Sequence, residues 1–189
     1  AYIISLTILI SLLTVGGGVW VFWNYGRDLP DYRQLENYTP PITTRVHAGD
    51  GSLLEEYAFQ RRSFVPVSSI PQSVINAFLS AEDKNFYRHP GIDIFGVIRA
   101  IFTNIRNYGK GRRPVGASTI TQQVAQNFLL TKEVSFVRKI REAIISFRME
   151  RVFTKNEILE LYLNQIYLGQ GSYGVAEAAN NDFGKFLDK

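Results

Sequence analysis

An uncharged stretch near the amino terminus constrains this chain more than any other feature. From Ile3 to Trp23 about 21 residues carry no charge, close to the roughly 20 that a helix needs to cross the hydrocarbon core of a bilayer. The stretch therefore predicts a membrane-spanning helix, with Trp20, Trp23 and Tyr25 at the membrane interface. A cleaved signal peptide is the alternative, but its apolar part should be shorter.

The rest of the chain has the length of one medium-sized domain. Residues 26–70 contain several prolines, which are typical of an extended connector, and the Asp50-Gly51 pair predicts a hairpin turn between two strand-like segments. Helical spacing dominates from Pro71 onward. The predicted organisation is an anchor at 1–25, a linker with a β-hairpin at 26–70, and a helical domain at 71–189.

Charge and cysteine content narrow the classes of partner. Lys and Arg number 21 against 17 Asp and Glu, a net charge of +4. This excess suits an anionic lipid surface or a pyrophosphate group. The sequence shows no zinc-binding pattern and no aromatic-and-basic stacking motif, so we predict no nucleic-acid partner. Without cysteine, disulfides and thiolate metal sites are excluded.

The carboxylate pair Glu82-Asp83 comes at the end of a predicted helix. Val74, Phe78 and Glu82 share one ridge at i, i+4 spacing. A carboxylate that continues a buried ridge loses water and becomes a better proton acceptor. Asp83 projects about 100° away around the helix. The alternative interpretation is two solvated acids at a helix end.

A second polar segment follows a basic loop. Five hydroxyl or amide side chains lie between Ser118 and Gln123, a composition that suits a wall binding a sugar or a phosphate. The preceding loop, 107–116, is rich in glycine and cations. It predicts either closure over a phosphorylated substrate or a solvated charge cluster.

Together these segments resemble a known family. The patterns Glu-Asp-x-x-Phe-x-x-His-x-Gly at 82–91 and Gly-x-Ser-Thr-Ile-Thr-Gln-Gln at 116–123 are similar to those of the peptidoglycan glycosyltransferases, the amino-terminal module of class A penicillin-binding proteins. Three more segments follow in the family's order, namely Arg138-Lys139-x-x-Glu142, Lys155 to Asn164, and Tyr173-Gly174-Val175. The resemblance implies a mainly α, lysozyme-like bilobed helical domain with a small β-hairpin and an N-terminal transmembrane helix.

The resemblance also implies an activity and a site. The reaction is polymerisation of lipid II by an inverting displacement of undecaprenyl pyrophosphate. Glu82 is implied as the base, and Glu142 as a second carboxylate that braces the leaving group through Arg138, Lys139 or a divalent ion such as Mg²⁺ or Mn²⁺. The implied substrate-binding residues are Asp83, Phe86, His89, Gly116, Ser118, Thr119, Gln122, Gln123, Arg138 and Lys139. We interpret His89 as a hydrogen-bonding residue of its turn rather than a proton carrier.

The remaining helices carry further expectations. Residues 92–108 are apolar around much of a helix, which predicts either a core helix or a segment that dips into lipid, as a hydrophobic subdomain does in the resembling family. In 134–153 the predicted core stripe is Val137, Ile140, Ile144 and Phe147. Glu142 lies off this stripe, and a surface ion pair with Arg138 and Lys139 is the alternative to the role that the resemblance implies. Thr154 to Glu157 is a capping box that predicts a helix through Leu168, with Glu160 and Asn164 as structural braces.

Location and departures from the pattern complete the sequence predictions. The resemblance implies a single-pass bacterial inner-membrane protein with a periplasmic or extracellular domain, and as partners lipid II, a lipid-linked glycan strand and other cell-wall synthesis proteins.

Gln126 stands where the family usually has Lys, which predicts weaker phosphate binding. Asp182 replaces an aromatic residue, and the chain stops early, which predicts a truncated module. No Ser-x-x-Lys occurs, so no transpeptidase serine is predicted.

Two other functions stay open at this point. A glycan-cleaving enzyme of lysozyme-like fold could use the same acids with water as the nucleophile. A non-catalytic membrane scaffold of the cell-wall machinery is favoured by Gln126 and by the early end of the chain.

Overall fold

The computed structural model describes residues 2–35, 44–57, 61–130 and 135–184. Within these ranges the chain is mainly helical, which confirms the predicted fold class. The helices are α1 (Tyr2–Gly26), α2 (Gln72–Glu82), α3 (Ile94–Asn107), α4 (Ile120–Leu129), α5 (Phe136–Met149), α6 (Lys155–Gln165) and α7 (Val175–Phe183). The strands are β1 (Thr44–His47), β2 (Leu53–Tyr57), β3 (Arg61–Arg62), β4 (Tyr167–Gly169) and β5 (Ser172–Tyr173). The domain boundaries stay predictions.

Helix α1 is apolar and exposed until its last turn. Among the described residues it is the one helix long and apolar enough to cross a membrane. Its carboxyl-terminal end contacts α5, where the Arg148 guanidinium lies 5.2 Å from the centroid of the Phe22 ring. Gly26 is buried in this contact, and a Cβ there would lie 2.8 Å from Arg148 Nη2. The predicted spanning helix therefore ends directly on the helical domain.

The predicted hairpin is confirmed. Strands β1 and β2 pair antiparallel, with Thr44 opposite Tyr57. In the turn, Gly51 has a φ of 86°, which a glycine adopts without strain, and the Asp50 carboxylate accepts the Ser52 N–H at 2.9 Å. The side chain of His47 and most of the predicted connector, 36–43, lie outside the described residues.

The core forms where α4 contacts α5 and α6. Its buried apolar side chains include Ile120, Val124, Ala125, Leu129, Ile145, Met149, Ile158, Leu159, Leu161, Tyr162 and Leu163. Helical spacing predicts Ile158, Leu159, Leu161 and Tyr162 of α6 as core residues, and all four are buried. The capping box of Thr154 and Glu157 is also present. The helix ends at Gln165 rather than Leu168, because Tyr167–Gly169 pairs with β5.

The buried face of α5 differs from the predicted stripe. Glu142, Ile145 and Met149 are 0% exposed, whereas Val137 and Ile140 are only half-buried. The surface-pair alternative for Glu142 is therefore wrong. Apolar spacing alone cannot reveal such a position, because a buried carboxylate depends on partners for its charge that are themselves polar.

Two side chains of α6 hold the segment that precedes α2, in agreement with their predicted bracing role. Glu160 Oε2 accepts the Val67 N–H at 2.7 Å. Asn164 accepts the Val65 N–H and donates to the Val65 carbonyl, both at 2.8 Å. The same segment enters a small sheet of order β3-β5-β4, in which β3 runs parallel to β5. The sequence analysis did not predict this second sheet, since its strands have only two or three residues.

Helix α3 presents its apolar side chains to the outside. The exposed residues are Ile94, Phe95, Ile98, Ile101, Phe102 and Ile105. The small residues Gly96 and Ala100 are buried instead, so that α3 approaches the domain closely along that line. The core-helix interpretation is therefore wrong. An exposed apolar patch of this kind marks a contact surface for lipid or protein.

Gly174 offers a test of the packing between α6 and α7. Its φ is 84° and a Cβ would lie 2.8 Å from the Asn164 carbonyl oxygen. Because the new methyl group would meet backbone, Gly174→Ala should lower the free energy of unfolding by about 2 kcal/mol more than a substitution that adds φ strain alone. Gly171→Ala is the matched control, with a φ of 77° and no atom within 4 Å of its Cβ position. Denaturant titration followed by circular dichroism measures both, and equal losses would contradict the clash.

Candidate active site

A cavity of about 250 Å³ lies between the end of α2, the helix α3 and the segment that leads into α4. It is lined by Ser80 to Lys84, by Asp93, Gly96, Arg99, Ala100 and Thr103, and by Val115 to Thr119. The carboxylate pair and the start of the hydroxyl-rich segment thus form walls of one cavity, although Asp83 and Ser118 are 35 positions apart in sequence. The sequence analysis predicted that these two segments act together.

Glu82 is the accessible acid of this cavity. It ends α2 and is exposed, so the predicted desolvation of its carboxylate is wrong. Its Oε2 accepts a hydrogen bond from Gln123 Nε2 at 2.8 Å. The Glu82 carboxylate is therefore oriented by α4 and still open to a substrate hydroxyl, which is the geometry that a general base needs.

Asp83 is buried and links two helices. Its Oδ2 accepts the Ile120 N–H, at the start of α4, at 3.1 Å. Both of its oxygens also lie 3.0 Å from His89 Nε2. A carboxylate at a helix amino terminus satisfies one of the free N–H groups there and meets the positive end of the helix dipole. Asp83 and His89 thus hold the cavity walls together, and their implied contact with substrate stays a prediction.

The hydroxyl-rich segment divides into a helix cap and a cavity wall. Thr119 and Gln122 form a capping box, in which Gln122 Oε1 accepts the Thr119 N–H at 3.0 Å. The Thr119 hydroxyl donates to the Gly91 carbonyl at 2.6 Å. The pattern Thr-x-x-Gln is a capping-box signal in the sequence, and it could have predicted where α4 begins. Ser118 remains on the cavity wall, and Gln123 remains bonded to Glu82.

Lys155 supports the turn that follows Asp83, a role that the sequence analysis did not assign. Its Nζ donates to the His89 carbonyl and to Glu150 Oε1, both at 2.6 Å, and lies 4.4 Å from the centroid of the Phe86 ring. Phe86 is 1% exposed and belongs to the core. A cation at the first position of a helix is electrostatically unfavourable. The lysine at the start of α6 therefore indicates, from the sequence itself, that its ammonium group has a specific partner.

Glu142 holds two cations beside the cavity. Its carboxylate is fully buried and forms ion pairs with Arg138 and with Lys139, the latter at 2.6 Å. Lys139 Nζ also donates to Ser118 Oγ at 3.0 Å, and this side chain is 44% exposed. Two cations share one carboxylate, so the group leaves one net positive charge at the cavity wall. An anion that approaches Ser118 meets that charge.

The resemblance implies a divalent ion beside Glu142. Both oxygens of its carboxylate are already bonded to cations. Among the described residues no group of three or more His, Asp or Glu side chains is placed to bind a metal ion. The Glu142 carboxylate is thus paired with Arg138 and Lys139 in this structure, and the divalent ion that the resemblance implies stays a prediction.

The basic loop flanks a second cavity of about 410 Å³, lined by Thr103, Arg106, Asn107, Lys110 and Arg112. Asn104 fixes the end of this loop, because it donates to the Val115 carbonyl at 3.0 Å and accepts the Val115 N–H at 2.7 Å. This contact also positions Gly116 on the wall of the first cavity. Arg106, Lys110 and Arg112 therefore line the second cavity, whereas Arg99 lines the first.

Comparison with known proteins identifies relatives of this chain. A family model described as transglycosylase matches residues 50–189. The chain is similar to the penicillin-binding protein 1A of Rickettsia conorii (strain ATCC VR-613 / Malish 7), with 58% identity over 186 residues, 97% of this chain and 24% of that protein. It is 48% identical over 161 residues to the penicillin-binding protein 1A of Aquifex aeolicus (strain VF5), 85% of this chain and 22% of that protein.

A further relative is the penicillin-binding protein 1A of Neisseria lactamica, 46% identical over 157 residues, 83% of this chain and 19% of that protein. The chain spans about a quarter of the length of the first of these relatives.

The neighbouring acids should respond differently to neutralisation. Asp83→Asn removes a buried acceptor from the Ile120 N–H and from His89, and should lower the free energy of unfolding by about 1–3 kcal/mol. Glu82→Gln, at an exposed carboxylate, is the matched control and should change it by less than about 0.5 kcal/mol. Denaturant titration measures both. A larger loss in Glu82→Gln than in Asp83→Asn would contradict the assignment of Asp83 as the link between α2 and α4.

Proposed function

This chain belongs to the transglycosylase family, and from that premise we propose that it is a peptidoglycan glycosyltransferase that polymerises lipid II into β-1,4-linked glycan strands. The observation that carries the proposal is the cavity with an accessible carboxylate, Glu82, on one wall and the Ser118 hydroxyl with the Lys139 ammonium on another. A transfer from a lipid-linked pyrophosphate needs both a proton acceptor and a cation near the leaving group.

Glu82 acts as the base in this proposal. The 4-hydroxyl of the incoming disaccharide gives its proton to the Glu82 carboxylate as its oxygen bonds to the anomeric carbon of the growing strand. The bond from that carbon to the pyrophosphate oxygen breaks, and the electron pair leaves with the pyrophosphate. The hydrogen bond from Gln123 Nε2 to Glu82 Oε2, 2.8 Å long, supports this role because it orients the carboxylate.

Arg138, Lys139 and Ser118 stabilise the departing pyrophosphate. The contact of Lys139 Nζ with Ser118 Oγ supports this role, since it brings a cation to the cavity wall. Glu142 acts through these cations: its buried carboxylate fixes Arg138 and Lys139 before substrate arrives, so that little reorganisation is needed in the transition state. The remaining substrate contacts, through Gly116, Thr119, Gln122 and Gln123, stay predictions.

A single displacement with inversion is the mechanism that these acids support best. A retaining mechanism requires a second carboxylate that can attack the anomeric carbon. Glu142 is 0% exposed and ion-paired, and Asp83 is 6% exposed and bonded to Ile120 and His89. Asp93 also lines the cavity, but its two oxygens accept the Gly96 N–H and the Asn85 amide. None of these carboxylates is therefore free to act as the nucleophile, and the acceptor hydroxyl attacks directly.

Two apolar surfaces support the proposed membrane location. Helix α1 has the length and composition of a spanning helix, and α3 exposes Phe95, Phe102 and Ile105 beside the cavity that it lines. A lipid-linked substrate would reach the cavity along α3, with the cations of the basic loop at the headgroups. The protein is then single-pass in the inner membrane, with its domain on the periplasmic side.

Glu82→Gln tests the reaction itself. It should lower the rate of lipid II polymerisation at least 100-fold, roughly the contribution of a general base, while the circular dichroism spectrum stays unchanged. Polymer length on a gel measures the product, and finished glycan strands serve as a second substrate. Shortened strands from the wild-type protein would instead identify a glycan-cleaving enzyme. Wild-type protein that is inactive on both substrates would favour the scaffold alternative.

Gln126→Lys tests the predicted phosphate contact. Gln126 is half-buried on α4, one turn after Gln123, and a lysine there would add a charge where the glutamine offers a dipole. The KM for lipid II should fall about 3- to 10-fold, as for one added exposed or partly buried charge contact. Asn127→Lys, exposed and one residue further around the helix, controls for net charge. Equal effects of both variants would contradict a specific phosphate contact.

A further inference from the structure

The hydroxyl of Tyr162, on α6, is an unused hydrogen-bond donor close to the candidate base. Tyr162 is 1% exposed, and its ring meets the ring of Phe78 edge-on at 6.1 Å between centroids. Its hydroxyl has no hydrogen-bond partner among the residues that the structure describes. A buried hydroxyl without a partner destabilises the folded state, so a phenylalanine would suit the core better.

Two contacts place Tyr162 near the ridge of α2 that ends at Glu82. Phe78 and Glu82 lie one turn apart on α2, so the ring that Tyr162 touches belongs to the same ridge as the carboxylate. Gln123, the donor to Glu82, is on α4, which packs against α6. Burial raises the pKa of the Tyr162 hydroxyl, and the negative charge of Glu82 raises it further. The hydroxyl therefore stays protonated and lies within electrostatic reach of the Glu82 carboxylate.

We propose that Tyr162 is a positioning residue for the glycosyl transfer, whose hydroxyl donates a hydrogen bond to the Glu82 carboxylate when substrate draws Gln123 away. The inference rests on the proposed function, in which Gln123 contacts substrate and Glu82 accepts a proton. With Gln123 engaged elsewhere, Glu82 would lose its orienting partner at the moment of reaction. A donor held in the core restores that orientation without occupying space in the cavity.

Other charged groups line the same cavity as Glu82, and their effect on its carboxylate must be distinguished from that of the Tyr162 hydroxyl. Asp83, Lys84, Asp93 and Arg99 line the same cavity, and Lys139 reaches its wall through Ser118. The Gly96 N–H, followed by the Asn85 amide, holds the pKa of Asp93 below its usual range. Removal of the Tyr162 hydroxyl leaves all of these groups in place, so a difference between the variant and the wild type reports on that hydroxyl.

The test is Tyr162→Phe in the full chain, with lipid II as the substrate. The kcat should fall about tenfold with KM unchanged, as for loss of a contact that orients the base only while the reaction takes place. The acid limb of the pH profile of kcat should move up by about one pH unit, since a hydrogen bond to an ionised carboxylate favours that form. The unfolding midpoint should stay the same or rise.

Tyr87→Phe is the matched control. Tyr87 is exposed, and its hydroxyl is bonded to Asn156 at 3.1 Å, away from the cavity walls. This variant should leave the kcat and the acid limb at their wild-type values. An acid limb in Tyr162→Phe that coincides with that of the wild type overturns the inference, whatever the change in kcat.

A ring-fluorinated tyrosine at position 162 gives a second measurement that does not depend on the folding of the phenylalanine variant. It keeps the hydroxyl and makes it a stronger donor, so the acid limb should move to lower pH, opposite to the phenylalanine variant. An unmoved limb would again overturn the inference. Failure of the proposed function is distinguishable, because it appears as absence of polymer from the wild-type protein.

Discussion

The carboxylate of Asp83 is the contact on which the site depends. It joins the carboxyl-terminal end of α2 to the first N–H of α4 and to His89. The two helices arrive from segments 37 residues apart, between Asp83 and Ile120, with the apolar helix α3 and the basic loop between them. Together with the bond from Gln123 to Glu82, this link fixes the position of Glu82 relative to Ser118. A charged acceptor at a helix amino terminus is among the stronger hydrogen bonds available for this purpose.

The pairing of Glu142 with Arg138 and Lys139 solves a different problem on α5. Isolated burial of this carboxylate would be very costly, and its two cations make it tolerable. In return the carboxylate fixes two long and flexible side chains at the edge of the cavity. The two acids differ in burial, since Glu82 is exposed and Glu142 is inaccessible. In the proposed reaction Glu82 therefore accepts the proton, whereas Glu142 acts through its partners.

Much of the fold could be predicted from local signals. The apolar run of α1, the Asp50-Gly51 turn and the Thr154 capping box each act over a few residues, and each is confirmed. The order of the polar motifs placed Glu82 and Ser118 at one site, which the cavity supports. The lysozyme-like helical fold implied by that order agrees with the transglycosylase match.

The failures share a physical cause: burial depends on tertiary contacts that sequence spacing does not report. The apolar ridge of α2 predicted a buried Glu82, but the helix ends there and its last turn opens onto a cavity. Glu142 broke the apolar pattern of α5, which by itself favours a surface ion pair, yet the core accepts it because of its cations. Because α3 is apolar around much of its surface, its sequence pattern could not distinguish a helix buried in the protein core from one that faces lipid.

The contact between Gly26 and Arg148 has a consequence for how the enzyme meets its bilayer. Because α1 ends directly against α5, a tilt of the spanning helix is transmitted to the helix that carries Lys139. Spanning helices tilt to match their apolar length to the hydrocarbon thickness around them. In the proposed membrane-anchored glycosyltransferase, membrane thickness therefore sets the height of Arg138 and Lys139 above the headgroups, so that lipid composition becomes a mechanical input to the helical domain.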